Sequence, residues 1–330
     1  MARSQLTRES GLVPSLMPSL ALFAIPAWLT GASLALHLAF VAFLVLGIAL
    51  PLRRHQPSGG WPEWIIPFGA VCYAAPMGLF GLQHFACFDV VKQAVPPYMP
   101  FHDAWVYIVG VALIVACLSL ITEIQAPIAA LLMGIMLFLF VLMLDVPALV
   151  QHPLDRFAIS GALRDLCLSG GALALAGALG IFGPSPALAA IGRWLFGITM
   201  LDYGVQHFLH PHFAPGVPFS LMMPAWLPGQ VPLSWITGTV LSVGGFCILT
   251  GIRARAAAAW IGIVYILLVL LVYLPMEIVQ PSIAISGALD YVADTLAVGG
   301  AALFVARSLA VRESAPDAQP EPQQLTHNLA

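Results

Sequence analysis

From Gly31 to Leu52 the chain runs without one Asp, Glu, Lys or Arg. A helix that crosses a bilayer core needs about 20 predominantly apolar residues, and this stretch supplies them. Comparable stretches follow at 65–86, 104–122, 125–147, 162–182, 187–209, 232–251, 256–277 and 287–307. The expectation is therefore about nine transmembrane helices.

Composition agrees. Of 330 residues, 60% are hydrophobic and 8% are charged, with a single lysine, Lys92. A soluble domain carries about 25% charged residues, so this chain has too little charge to cover a water-facing surface of its size. The expected class is an all-α polytopic membrane helical bundle. A net charge of −3 without a long basic run argues against nucleic-acid binding. The cysteines (Cys72, Cys87, Cys117, Cys167 and Cys247) form no C-x-x-C and mostly sit in apolar runs. They read as small buried hydrophobes rather than a disulfide framework or zinc ribbon. P-loop, H-E-x-x-H and G-x-S-x-G motifs do not occur.

The last eight stretches form two matching sets of four. "GLQHF" (81–85) recurs as "GVQHF" (204–208), and Pro147 with Pro153 recurs as Pro275 with Pro281. "AISGAL" (158–163) recurs letter for letter at 284–289, and Asp165 before Gly170–Gly171 recurs as Asp294 before Gly299–Gly300. Four matches in one order read as tandem four-helix repeats. An even number of spans per unit makes them parallel, related by an axis along the membrane normal. The expected division is an N-terminal segment (1–60), a first unit (61–183), a second unit (184–311) and a disordered cytoplasmic tail (312–330). The apolar segment 12–30 is broken by Pro14, Pro18 and Pro26. It fits an interfacial segment, a half-helix, a tenth span or a cleaved leader.

Charge orients the bundle. Arg53, Arg54, Arg193, Arg253, Arg255, Arg307 and Arg312 fall on one edge, and Lys92, Arg156 and Arg164 on the other. The positive-inside rule makes the first edge cytoplasmic. Arg3 and Arg8 fall outside on a nine-span count, which favours ten. The outer edge collects most of the carboxylates and six of the histidines, and His37 lies in the outer half of the first span.

Several residues there carry chemistry. Asp202 lies within a span, where a carboxylate costs on the order of 2–3 kcal/mol and should face the bundle interior or a wet cavity. Gln206 shares its helix face, and Tyr203 with His207 forms the adjacent pair. The alternative is a structural hydrogen bond between helices. His84 and His207, beside Gln83 and Gln206, are matched positions. They are either hydrogen-bonded interfacial anchors or groups that shuttle protons and contact a quinone head group, since histidine titrates near neutrality. Asp202, His207 and His84 are the candidate catalytic groups. Gln83, Gln206, Tyr203, Asp165, Asp294 and His37 are the candidate ligand-binding groups. His207, His210 and His212 form a possible metal set, which Pro211 interrupts. Haem is disfavoured, because no second ligand pair or attachment motif is present. Asp165 and Asp294 read first as helix N-terminal carboxylates. Arg164 has no matching charge in the second unit. That unit is richer in polar groups, so it is the one expected to work.

Each unit resembles the DoxX-like integral membrane proteins. The resemblance rests on "GLQHF" or "GVQHF" ending a first helix and on a Pro-rich outer loop. It rests further on a Trp-led second helix with Gly110 or Gly238, and on a Gly/Ala-rich fourth helix after "GAL…D". It covers about 61–310. It implies a bacterial inner-membrane subunit, quinone-linked or accessory to a periplasmic or membrane redox partner. It carries no catalytic residue across. Two other functions stay open: a small-solute or proton-coupled transporter, and a non-catalytic anchor or assembly protein.

Overall fold

The computed structural model describes residues 31–54, 60–216, 221–279 and 287–313. The expectations for segment 12–30, for Arg3, Arg8 and Pro281, and for the tail beyond 313 lie outside those residues.

The described chain is all-α apart from one isolated bridge, Phe213 to Met222. The helices are α1 (Gly31–Arg54), α2 (Gly69–Ala86), α3 (Phe88–Lys92), α4 (His102–Thr122), α5 (Ala126–Phe140), α6 (Val146–Gln151), α7 (Arg156–Leu179), α8 (Pro186–Leu209), α9 (Gln230–Thr250), α10 (Ala254–Leu268), α11 (Leu274–Val279) and α12 (Gly287–Glu313). Among the described residues, eight helices are long and apolar enough to cross a membrane, with α5–α6 and α10–α11 each counting as one. The protein is a multi-pass membrane protein whose outer faces contact lipid. The ninth expected span, α8, is as long as α7 and falls outside those eight. It packs against α7 and α9.

Local chemistry sets the helix ends. Asp155 caps α7 by accepting from Phe157 N–H at 2.9 Å, and Ser185 caps α8, with Pro186 at its first position. Between α5 and α6, Val141–Asp145 forms a π turn, and Val269–Tyr273 does so between α10 and α11. The cause is proline. Pro147 and Pro275 offer no N–H and crowd the carbonyls four residues back, those of Met143 and Leu271. The Tyr98 hydroxyl donates to the freed Met143 carbonyl at 3.2 Å.

The two halves share one order of neighbours. α2 packs on α4 and α5 on α7, while α8 packs on α9 and α10 on α12. The halves join crosswise, α7 to α8 and α12 to α2, with α7 and α12 touching each other at the centre. Small residues permit this closeness. At Gly192 an added Cβ would strike the α7 backbone at Gly170 and Ala174. The N-terminal α1 lies outside both sets and packs mainly on α2. Tryptophans are exposed near both ends of the bundle: Trp61, Trp194 and Trp260 at one, Trp105 and Trp235 at the other. That distribution suits two interfacial belts. At the arginine-rich end, Arg255 pairs with Glu63 at 2.5 Å and Trp61 stacks on Trp260 with centroids 4.6 Å apart.

Gly192→Ala should force α7 and α8 apart and cost about 1–3 kcal/mol. Gly161→Ala meets open space and should leave stability unchanged or raise it by up to about 1 kcal/mol. Thermal unfolding of the two variants in detergent compares them directly.

Candidate functional site

The residues singled out from the sequence fall into four separate places, two clefts, the buried His207 and the remote His37. Asp202, His207 and His84 do not line one cavity.

A polar cleft of about 290 Å³ lies between α2, α4, α5, α7 and α12. Met77, Phe80, Leu113, Leu137, Phe140 and Leu168 wall it, and Gln83, His84, Arg164, Asp165, Asp290 and Asp294 supply its polar groups. Arg164 Nε donates to Asp165 at 2.9 Å, and Nη1 reaches across to Asp294 at 3.3 Å. Gln83 donates to Asp290 at 2.5 Å. His84 bonds through Nδ1 to the Phe80 carbonyl at 2.8 Å, within its own helix. One guanidinium thus serves a carboxylate from each half.

This corrects the reading of Asp165 as a helix-start carboxylate. α7 begins at Arg156, six residues before the expected start, because Asp155 caps it. Asp165 is consequently about 14 Å down the helix, well inside a core of about 30 Å. Asp294 is about 10 Å down α12 by the same rise. Neither caps a helix; both are buried and aimed at Arg164. Close by, Asp145 ends the π turn with its Oδ2 buried and without a hydrogen-bond partner.

The second place is a smaller cleft of about 160 Å³ lined by Arg156, Ser160, Asp202, Tyr203, Gln206 and His210, among others. Asp202 Oδ2 is buried there without a partner. Arg156 lies over the Phe213 ring, 3.9 Å from its centroid.

His207 is in neither cleft. It is fully buried. Its Nδ1 donates to the Tyr203 carbonyl, and its Nε2 accepts from Gly216 N–H at 3.3 Å. Ser234 donates to its carbonyl at 3.0 Å. The ring thus pins the loop that follows α8. Among the described residues no three His, Cys, Asp or Glu side chains are grouped to hold a metal ion, so His207, His210 and His212 do not converge. His37 sits apart, bonding Ser33 O at 2.8 Å and Glu277 at 3.1 Å, which ties α1 to α11.

Among the described residues, the matched position in the second half carries larger side chains. Phe80, Leu137 and Asp145 correspond to Tyr203, Tyr265 and Tyr273, all buried. Tyr203 donates to Ser160 O and Tyr273 to Pro215 O, each at 2.7 Å. Among the described residues, three buried phenols, with Gly216 of the loop close to Tyr273, occupy the matched positions. Arg164 and Asp290 were missed as site residues. The available signal was a lone arginine next to an aspartate in an apolar run, since an ionisable group at membrane depth is a functional candidate by default.

His207→Ala should cost about 2–4 kcal/mol, through the lost ring volume and the orphaned Gly216 N–H. His84→Ala, removing a half-exposed ring with one local bond, should cost below about 1 kcal/mol. Thermal unfolding checks the difference, and faster proteolysis of the 210–216 loop should accompany only the first change.

Compared with known proteins, the chain matches no family model, no curated protein and no solved structure.

Proposed function

We propose that this protein is a bacterial inner-membrane subunit that binds a lipid-soluble carrier of the quinone class in the cleft of its first half, as a redox or accessory component facing the periplasm. The observation that carries the reading is the amphipathic build of that cleft. Apolar side chains from four helices form its walls, and a guanidinium, carboxylates, an amide and an imidazole gather on one side. A flat head group with two carbonyls needs donors, which Arg164 and Gln83 supply, while His84, whose Nδ1–H is spent on the Phe80 carbonyl, presents Nε2 as an acceptor. Its protons need acceptors, which Asp290 and Asp294 supply. Electrons would pass to or from a separate redox partner. The DoxX-like resemblance points the same way.

This moves the working site from the second unit to the first. It keeps His84, Gln83, Asp165 and Asp294 in the site, adds Arg164 and Asp290, and gives His207 a structural task.

Binding of benzoquinone and naphthoquinone analogues to the purified protein, followed by fluorescence quenching, tests the proposal. Wild type should bind saturably. Arg164→Ala should weaken binding about tenfold or more, equivalent to about 1.4 kcal/mol. The double change Phe80→Tyr with Leu137→Tyr, which copies the filled half, should abolish it. Asp202→Asn should leave it unchanged. No saturable binding by wild type, or equal binding by all variants, overturns the proposal.

One observation favours a second reading, a proton-coupled solute transporter. The Arg164 cluster lies well inside the bundle at the seam of the two halves, as transporter sites do. Solute uptake into liposomes that is lost in Asp294→Asn, in a protein without quinone affinity, would decide for it.

A further inference from the structure

A groove runs down the outside of the first half between α4 and α5, with a volume of about 230 Å³. Its lining is apolar but for Ser119 and Gln125, and it follows one stripe of each helix: Ala112, Val115 and Ala116 on α4, and Ile128, Leu132 and Met133 on α5 among them. The floor is buried at Ala116, Ala129 and Met133, while Val115 and Leu132 stand exposed as its rims. From Gln125 to Met136 it extends about 16 Å along α5.

The groove and the polar cleft follow one another along the same seam. Ala116 and Met133 of the groove lie one helical turn from Leu113 and Leu137, which wall the cleft. A single amphiphile can therefore occupy both, its head beside Arg164 and its chain between α4 and α5. Among the described residues the matched seam of the second half is tight. Where the first half has Ala116 and Met133, the second has Gly244 and Ile261, and Ile261 lies so close that a Cβ on Gly244 would collide with it. Both features, cleft and groove, are open in the same half.

We infer that the α4–α5 groove holds the hydrocarbon chain of the molecule whose head group binds in the cleft, so that the ligand is a long-chain amphiphile and not a free polar solute. The inference rests on the cleft reading above. The groove also sets a route: the ligand enters sideways from the lipid, between two helices whose outer faces are apolar. Burial of chain carbons in a dry groove adds to affinity roughly in proportion to the area covered.

The test uses two probes, 2,3-dimethoxy-5-methyl-benzoquinone without a chain and its hexadecyl homologue, on the full protein in lipid nanodiscs. Affinities are expressed per lipid, so that partition into the bilayer cancels. Wild type should bind the long-chain probe at least about tenfold more tightly. Ala129→Phe fills the groove floor, and Val115→Phe narrows the exposed rim without touching the core. Each should remove most of that advantage and leave the chainless probe unchanged. Equal affinity for the two probes in wild type overturns the inference and assigns the groove to ordinary annular lipid. So does a loss in the variants that is the same for both probes. Failure of the chainless probe and the long-chain probe alike would instead sink the cleft reading itself.

Discussion

One guanidinium held between two carboxylates organises this molecule. A charge inside an apolar bundle must be paired, because removing one partner leaves the other uncompensated at a cost of several kcal/mol. Arg164 takes one partner, Asp165, from its own helix and the other, Asp294, from α12. The two central helices must then lie side by side. The crosswise packing of α7 on α8 and α12 on α2 follows, and so do the glycine and alanine faces that let these backbones approach. Because Arg164 is partly open to the cleft, the same cluster that joins the halves also supplies polar groups of the cleft.

The halves share a frame and differ in what fills it. α4 and α9 have 21 residues each and α5 and α10 have 15 each, and the π turns stand before matched prolines. Around the central axis, however, the first half carries Phe80, Leu137 and Asp145 where the second carries three buried tyrosines. Each bulkier phenol takes up volume, and two of them spend their hydroxyls on backbone carbonyls of neighbouring segments. The second half is in this way locked, with His207 as a further bolt on the loop above it. The arrangement lets one half be rigid while the other keeps an open cleft.

Much of the frame was legible in the sequence. Apolar runs of membrane length gave the helices. Paired prolines were legible as a repeat, although only the structure shows that π turns precede them and that Tyr98 takes up the freed carbonyl of Met143. The site was legible in pieces. Gln83, His84, Asp165 and Asp294 stood out as polar groups in apolar surroundings, but their meeting depends on contacts 130 residues apart in sequence, as between Arg164 and Asp294. The cap at Asp155 moved the start of α7 outward by two turns. Arg164, read as an edge charge, was thereby drawn into the bundle. The fate of His207 was hidden for another reason. Its partner is a backbone N–H, that of Gly216, and backbone groups leave no mark in the pattern of side chains.

The central claim is that the cleft of the first half is open to a ligand while its counterpart is closed. Thiol labelling tests it directly, in a background with the half-buried Cys87 and Cys247 replaced by alanine. Leu137→Cys and Tyr265→Cys place a thiol at matched positions. The account predicts that a membrane-permeant maleimide modifies the first variant, that a quinone analogue protects it, and that the second variant stays unmodified over the same time. Equal labelling of the two, or labelling of the Tyr265→Cys variant alone, would contradict it.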